Sequence, residues 1–90
     1  MPDLALVTVE FLGIPRQRAG QAEFAVRAST VGQALEVVER ACPSLQGLVH
    51  EGRLTPAYLL SLDGKLFVQD LQQPLRSGDR LLLLSADVGG

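Results

Sequence analysis

The chain ends in Leu81-Leu82-Leu83-Leu84-Ser85-Ala86-Asp87-Val88-Gly89-Gly90. Four consecutive leucines are typical of a buried β-strand. The glycine pair adds nothing to a core, because glycine loses more backbone entropy on ordering than any other residue. It does form a thin, bendable tail that can thread a narrow channel of another protein. The stretch therefore predicts a last strand that delivers a terminal carboxylate to a partner, although a frayed end is the plain alternative.

Length and composition predict one small domain with an aliphatic core. The chain has 90 residues, of which 47% are hydrophobic and only 4% aromatic. A net charge of −2 without a basic patch argues against a nucleic-acid partner. No apolar run approaches the roughly 18 residues of a membrane span, and Met1-Pro2-Asp3 lacks the basic start of a signal peptide. We therefore expect a cytoplasmic protein without membrane contact.

The first part of the chain predicts a hairpin. Residues 4–12 alternate with period two, so one side of a strand carries apolar residues that include Val7 and Phe11. The other side carries Leu4, Leu6, Thr8 and Glu10. Residues 13–20 hold two glycines and a proline, which predicts a connecting loop. A second strand is expected over residues 23–28.

A single main helix is predicted to follow. Thr30 is a good N-cap, and Gln33 three residues later completes a capping box. One apolar stripe then repeats at helical spacing; it consists of Val31, Ala34, Leu35, Val38, Ala41 and Cys42. Pro43 ends the helix. Cys42 is expected to be a buried structural thiol rather than a reactive one, because it lies on the apolar stripe next to the end of the helix.

The second half predicts a further short turn and three strands. Residues 44–52 are expected to cap the core, and His50 is expected at the surface. One histidine and one cysteine argue against a metal site. A third strand over residues 57–62 is followed by Asp63-Gly64, a strong hairpin signal. The chain then returns through residues 65–68, and a turn-rich segment leads to the last strand from Arg80.

This order predicts an α+β fold with one helix on one face of a mixed sheet of about five strands. The first and last strands can pair in parallel at the centre, because the helical crossover lies between them. The arrangement is the β-grasp, with a domain over residues 1–84 and a tail over 85–90. The second sheet face has no element to cover it, and its exposed apolar residues predict a docking surface for a partner. That surface would carry Leu4, Leu6 and one leucine pair of the last strand.

The chain resembles the MoaD/ThiS family of ubiquitin-like sulfur carriers over nearly its whole length. The resemblance rests on Thr30 to Leu35, on Pro43 with Leu45, on Leu62-Asp63-Gly64, on Leu75-Arg76-Ser77-Gly78-Asp79-Arg80-Leu81, and on the terminal Gly89-Gly90. It implies that Leu81 and Leu83 face inward while Leu82 and Leu84 face outward; period two alone allows either parity. It also adds Val88 to the expected partner contacts.

The resemblance implies a carrier rather than an enzyme. A partner similar to ubiquitin-activating enzymes would use ATP to adenylate the Gly90 carboxylate, and no cofactor would be bound by the chain itself. Sulfur would then displace AMP to form a thiocarboxylate, while Gly89 keeps the reacting carbon uncrowded. A sulfur-acceptor enzyme, such as a molybdopterin synthase large subunit, would be the second partner. The acceptor molecule stays open between a molybdopterin, thiazole or cysteine precursor and a tRNA base.

Two other functions remain open from the sequence. The chain could be a ubiquitin-like modifier that is joined to target lysines through Gly90. Lys65 is the only lysine, so lysine-linked chains would have one side-chain site. The other alternative is a non-catalytic β-grasp binding module in which the tail has no role.

Overall fold

A computed structural model describes residues 4–86 of the chain. The elements follow one another as β1 (Ala5–Phe11), α1 (Ile14–Ala19), β2 (Glu23–Ala28), α2 (Val31–Ala41), a 3₁₀ turn (Pro43–Leu45), β3 (Val49–His50), β4 (Arg53–Leu54), β5 (Tyr58–Leu62), β6 (Leu66–Phe67) and β7 (Arg80–Ser85).

The main sheet has five strands in the order β2-β1-β7-β5-β6. Only β1 and β7 pair in parallel, with Val9 opposite Leu81, and the other neighbours are antiparallel. The first and last strands of the chain therefore lie side by side at the centre, and α2 packs on one face. This arrangement confirms the predicted ubiquitin-like β-grasp. The strands β3 and β4 form a separate two-stranded hairpin that was not predicted.

The core lies between the sheet and α2, on the face of the sheet to which the apolar side chains of β1 point. Ala5, Val7, Val9 and Phe11 are all buried, as the period of two predicts. From β2, Val26 and Ala28 join them, whereas Phe24 is only partly buried against the core. The inner face of the sheet is thus a continuous apolar surface, built mostly of aliphatic side chains.

The main helix begins and ends where the sequence predicts. The backbone N–H of Gln33 donates to Oγ1 of Thr30 at 3.3 Å. The Gln33 side chain reaches one residue further back than a capping box requires, and its Oε1 accepts from the N–H of Ser29 at 2.8 Å. Val31, Ala34, Leu35 and Val38 are buried. Ala41 is exposed and does not belong to the stripe, whereas Cys42, its last predicted member, is buried at the C-cap.

The prediction of a loop over residues 13–20 is wrong, because Ile14–Ala19 forms a short helix. Pro15 stands in its first turn, where the backbone N–H that proline lacks has no intrahelical partner to lose. Gly20 ends the helix in the left-handed conformation at φ 73°, and its N–H donates to the carbonyl of Arg16 at 3.0 Å. The same glycine and proline residues that mark a loop are here the end signals of a helix.

The second hairpin of the main sheet forms at Asp63-Gly64, as predicted. Both residues have positive φ, 55° and 70°, as a type I′ turn requires. Its returning strand is shorter than expected, since only Leu66 and Phe67 pair with β5.

Candidate functional site

The last strand lies at the centre of the sheet and carries alternate leucines to its two faces. Leu81 and Leu83 are fully buried in the core. Leu82 and Leu84 are half-buried on the opposite face, which α2 does not cover. This is the parity that the family resemblance implies.

The described part of the tail ends in a fixed position. Ser85 lies opposite Tyr58 in the β5–β7 pair, and the N–H of Ala86 donates to the carbonyl of Ala57 at 2.9 Å. We call Ser85 and Ala86 the tail root. Of the predicted tail residues, Val88, Gly89 and Gly90 lie outside the described residues, as does Asp87. The structure therefore describes the first two residues of the predicted tail and none of its last four.

The short helix α1 supports this root, and sequence reasoning missed it. Tyr58, the residue opposite Ser85, is buried, and its hydroxyl accepts a hydrogen bond from Nη1 of Arg18 at 2.7 Å. The N–H of Leu12, just before α1, donates to the carbonyl of Leu83 at 3.0 Å. These contacts tie α1 to the end of β7. The cap signals at Pro15 and Gly20 could have revealed the helix in the sequence.

The uncovered outer face of the sheet holds two separate apolar groups. Near the tail root, Leu82 and Leu84 lie across from Ser61 and Leu59 of β5, and Phe67 of β6 lies across from Ser61 on the same face. We call Leu59, Phe67, Leu82 and Leu84 the tail-side patch. Phe67 is 63% exposed, the most exposed large hydrophobic side chain in the described part of the chain. Ser61 itself is buried between these neighbours.

The second apolar group consists of Leu4 and Leu6, which are 51% and 50% exposed at the start of β1. The parallel register places Thr8 beside Arg80 and Glu10 beside Leu82. Leu6 is therefore four residues behind Leu82 along the strands, or roughly 13 Å. The structure places the four predicted docking leucines on one face but does not join them into one patch.

A charged cluster separates the two apolar groups. Nη1 of Arg80 donates to Oε1 of Glu10 and to Oε2 of Glu23, both at 2.8 Å, so one guanidinium links β7, β1 and β2. The hydrogen bond to Glu23, followed by that to Glu10, raises the pKa of Arg80 above its ordinary value. A raised pKa favours the charged form of the guanidinium, which attracts the two carboxylates wherever these are ionised. The cluster thus forms a polar boundary on the outer face.

The other candidate residues stand apart from this face. Cys42 is buried, with Sγ 3.9 Å from Nε2 of Gln21, and His50 is an exposed residue of the β3–β4 hairpin. Lys65 is exposed in the turn between β5 and β6. Among residues 4–86, no three His, Cys, Asp or Glu side chains are grouped closely enough to hold a metal ion. Over the same residues, no helix has the length and apolarity needed to cross a membrane.

Comparison with solved structures identifies proteins that share this fold. No family model and no curated protein sequence matches the chain. Among solved structures, the small archaeal modifier protein 1 of Methanosarcina acetivorans superposes with a TM-score of 0.83 at 20% identity, over 99% of this chain and 100% of that one. A chain of the Amycolatopsis orientalis BexX/CysO complex matches with a TM-score of 0.80 at 26% identity, over 93% and 99%.

A third neighbour comes from the complex of subunits 1 and 2 of the Helicobacter pylori molybdopterin-converting factor. It matches with a TM-score of 0.65 at 21% identity, over 94% of this chain and 99% of the other. The structural neighbours are thus MoaD/ThiS-like proteins with the ubiquitin fold. Two of them were solved in complex with another protein.

Proposed function

We propose that this ubiquitin-like chain is a sulfur carrier whose Gly90 carboxylate is activated by a partner enzyme and converted to a thiocarboxylate. The observation that carries the proposal is the central position of β7, which ends at Ser85, five residues before the last glycine of the sequence. Four residues, 87–90, follow the tail root. Fully extended, they reach about 13 Å beyond it. That reach would bring the Gly90 carboxylate into a partner's active site while the folded domain stays outside.

The chemistry needs activation, because a carboxylate is a poor acyl donor. Its pKa of about 3.3–3.7 leaves it anionic at neutral pH. The partner would transfer AMP from ATP to the carboxylate and release pyrophosphate. Sulfide, as HS⁻, would then attack the acyl carbon, expel AMP and, on loss of its proton to solvent, leave its sulfur on the chain as a thiocarboxylate. The chain would supply only the substrate end, and the ATP site would belong to the partner.

The tail-side patch is the proposed docking surface for that partner. It lies on the same side of the Arg80 cluster as the tail root, so a protein that covers it also meets the tail where it leaves β7. Phe67, with its large exposed area, is the natural anchor, since aromatic side chains carry much of the binding energy at interfaces. Leu4 and Leu6 lie beyond the charged cluster, so we assign them a secondary contact.

The acceptor enzyme is proposed to be of the molybdopterin-synthase type. Support comes from the neighbour in the Helicobacter pylori complex, where subunit 1 of a molybdopterin-converting factor is bound to subunit 2. The neighbour in the BexX/CysO complex supports a protein partner in general terms.

The experiment is intact-mass spectrometry after incubation with the organism's adenylating enzyme, ATP and a sulfur source. The expected product has one oxygen exchanged for one sulfur, and it should depend on ATP. Gly89→Val should block the exchange, because a branched side chain would collide with a channel shaped for bare backbone. Gln17→Val, an exposed change on α1, is the matched control and should react like the parent chain. An unchanged mass for the parent chain with an active partner would contradict the proposal.

A second candidate function is protein modification through Gly90. It is favoured by the likeness to a protein named as a small archaeal modifier. The same assay separates the two functions when a lysine-bearing acceptor protein replaces the sulfur source. An ATP-dependent isopeptide bond, with no sulfur incorporation in the first assay, would favour the modifier.

A further inference from the structure

Strand β2 is an edge of the main sheet, and half of its backbone groups point away from the sheet. The N–H of Phe11 donates to the carbonyl of Ala22, so even-numbered residues of β2 face β1. Because backbone groups alternate in direction along a strand, the N–H and C=O groups of Glu23, Ala25 and Arg27 point outward. Six hydrogen-bonding groups thus form a free edge.

The side chains of the same three residues are exposed on the outer face of the sheet. Glu23 and Arg27 stand at equal distances on either side of Ala25, and their charges are opposite. They are four residues apart, or roughly 13 Å, so they cannot pair within one chain. Arg27 has no carboxylate within ion-pair distance in the part of the chain that the structure describes.

We infer that β2 is a docking edge for a second copy of this chain, with the two β2 strands antiparallel about a two-fold axis at Ala25. In that register Glu23 lies opposite Arg27 of the second copy, and Ala25 lies opposite its own equivalent. All three cross-strand pairs are hydrogen-bonded pairs, so the six outward groups of each copy satisfy one another. The small side chain of Ala25 leaves room at the axis, where the two copies come closest.

The charged cluster supplies a second argument for a second copy. In one chain, Arg80 holds two carboxylates, those of Glu10 and Glu23, which leaves one excess negative charge. Glu23 remains 53% exposed beside the free edge. Arg27 of the second copy would complete a balanced group of two cations and two carboxylates on each side of the axis.

Edge strands commonly carry charges that prevent pairing with other chains. If Glu23 and Arg27 carried like charges, they would repel a second copy of the strand. Their opposite charges instead attract the antiparallel β2 strand of a second copy. The dimer also leaves the proposed docking surface open, since β1 lies between β2 and β7. Each dimer would therefore present two tails, and this inference stands apart from the chemistry at Gly90.

The register can be tested by cross-linking. Hydrogen-bonded antiparallel pairs have Cα atoms about 5.5 Å apart, which suits a disulfide. Ala25→Cys should therefore form a cross-linked dimer under mild oxidation. Gln17→Cys, which is also exposed but lies on α1, is the control and should not form one; the native Cys42 is buried. Equal cross-linking rates for the two variants would overturn the proposal.

Sedimentation velocity over a concentration series tests the charge pattern. Arg27→Glu should raise the dimer dissociation constant about tenfold, because two attractive cross-strand pairs become repulsive. Mixing this variant with Glu23→Arg should restore association as a heterodimer, since each repulsive pair becomes attractive again. A monomeric parent chain at the highest concentration, or an Arg27→Glu variant that associates like the parent with an unchanged melting temperature, would contradict the inference.

Discussion

The substitution of Leu82 by Asp tests whether the tail-side patch is where the activating partner docks. Leu82 is already partly buried, so a docked partner would cover only the smaller part of its side chain that is still exposed. Losing that contact costs about 1 kcal/mol, because a fully buried leucine contributes about 1.5–3 kcal/mol. A carboxylate left without a partner in the dry interface adds at least the roughly 1–3 kcal/mol that an unpaired neutral polar group costs. The sum of at least about 2–4 kcal/mol predicts a dissociation constant raised at least roughly 30- to 1,000-fold.

Leu6→Asp is the matched control, because it makes the same change on the same face. Leu6 lies beyond the Arg80 cluster and is already 50% exposed, so binding should weaken by less than about threefold. The assay is calorimetric titration of each variant with the adenylating enzyme, after circular dichroism has shown that both variants fold. If Leu82→Asp binds like the parent chain, or if Leu6→Asp weakens binding as strongly, the assignment of docking to the tail-side patch is refuted.

Three further predictions concern the folded domain, and urea or thermal unfolding measures each. Leu35→Ala should lower the free energy of unfolding by about 2–5 kcal/mol, because the side chain is fully buried. The control Glu36→Ala, on the exposed face of α2, should lower it by less than about 0.5 kcal/mol, and equal losses would mean that α2 is packed differently. Tyr58→Phe should cost about 0.5–1.5 kcal/mol through loss of the Arg18 hydrogen bond, and no loss would show that α1 does not hold the tail root. Arg80→Met should lower the melting temperature by an amount that shrinks as salt is added, since the cluster is partly exposed; a difference independent of salt would contradict the electrostatic account.

The elements that were predictable from the sequence are those whose periodicity runs over several residues. Four buried positions of β1 and the capped helix α2 each repeat a pattern often enough to identify the element and its buried face. The Asp63-Gly64 turn was predictable for another reason, because few dipeptides suit positive φ at both positions. In each case the local signal agrees with the tertiary packing.

The elements that were missed are short or depend on distant residues. The helix α1 has six residues, too few for a clear period, and its end signals are also loop signals. The two-residue strands β3 and β4 have no period at all. The orientation of Leu82 required the family resemblance, because a run of four leucines fits either parity.

The exposure of individual candidate docking residues was predictable, but their layout on the sheet was not. Exposure of Leu4 and Leu6 followed from the alternation of β1. The cluster of Arg80 with Glu10 and Glu23 joins residues up to 70 positions apart in the chain, and no local pattern indicates it. Its presence divides one expected docking surface into two groups. Phe67, the most exposed member of the tail-side patch, was not singled out either, because its strand has only two residues.

The central claim is that Gly90 carries the reacting carboxylate, and tandem mass spectrometry of the activated chain tests it most directly. After reaction with the adenylating enzyme, ATP and a sulfur source, the sulfur should be located on the C-terminal fragment at Gly90. Deletion of Gly90 should abolish the exchange, because it withdraws the carboxylate by about 3.5 Å when reacting atoms must approach within roughly 3–3.5 Å. The melting temperature should not change, since glycine has no side chain that could pack in a core. Sulfur found elsewhere in the chain, or a deletion variant activated as well as the parent, would contradict the account.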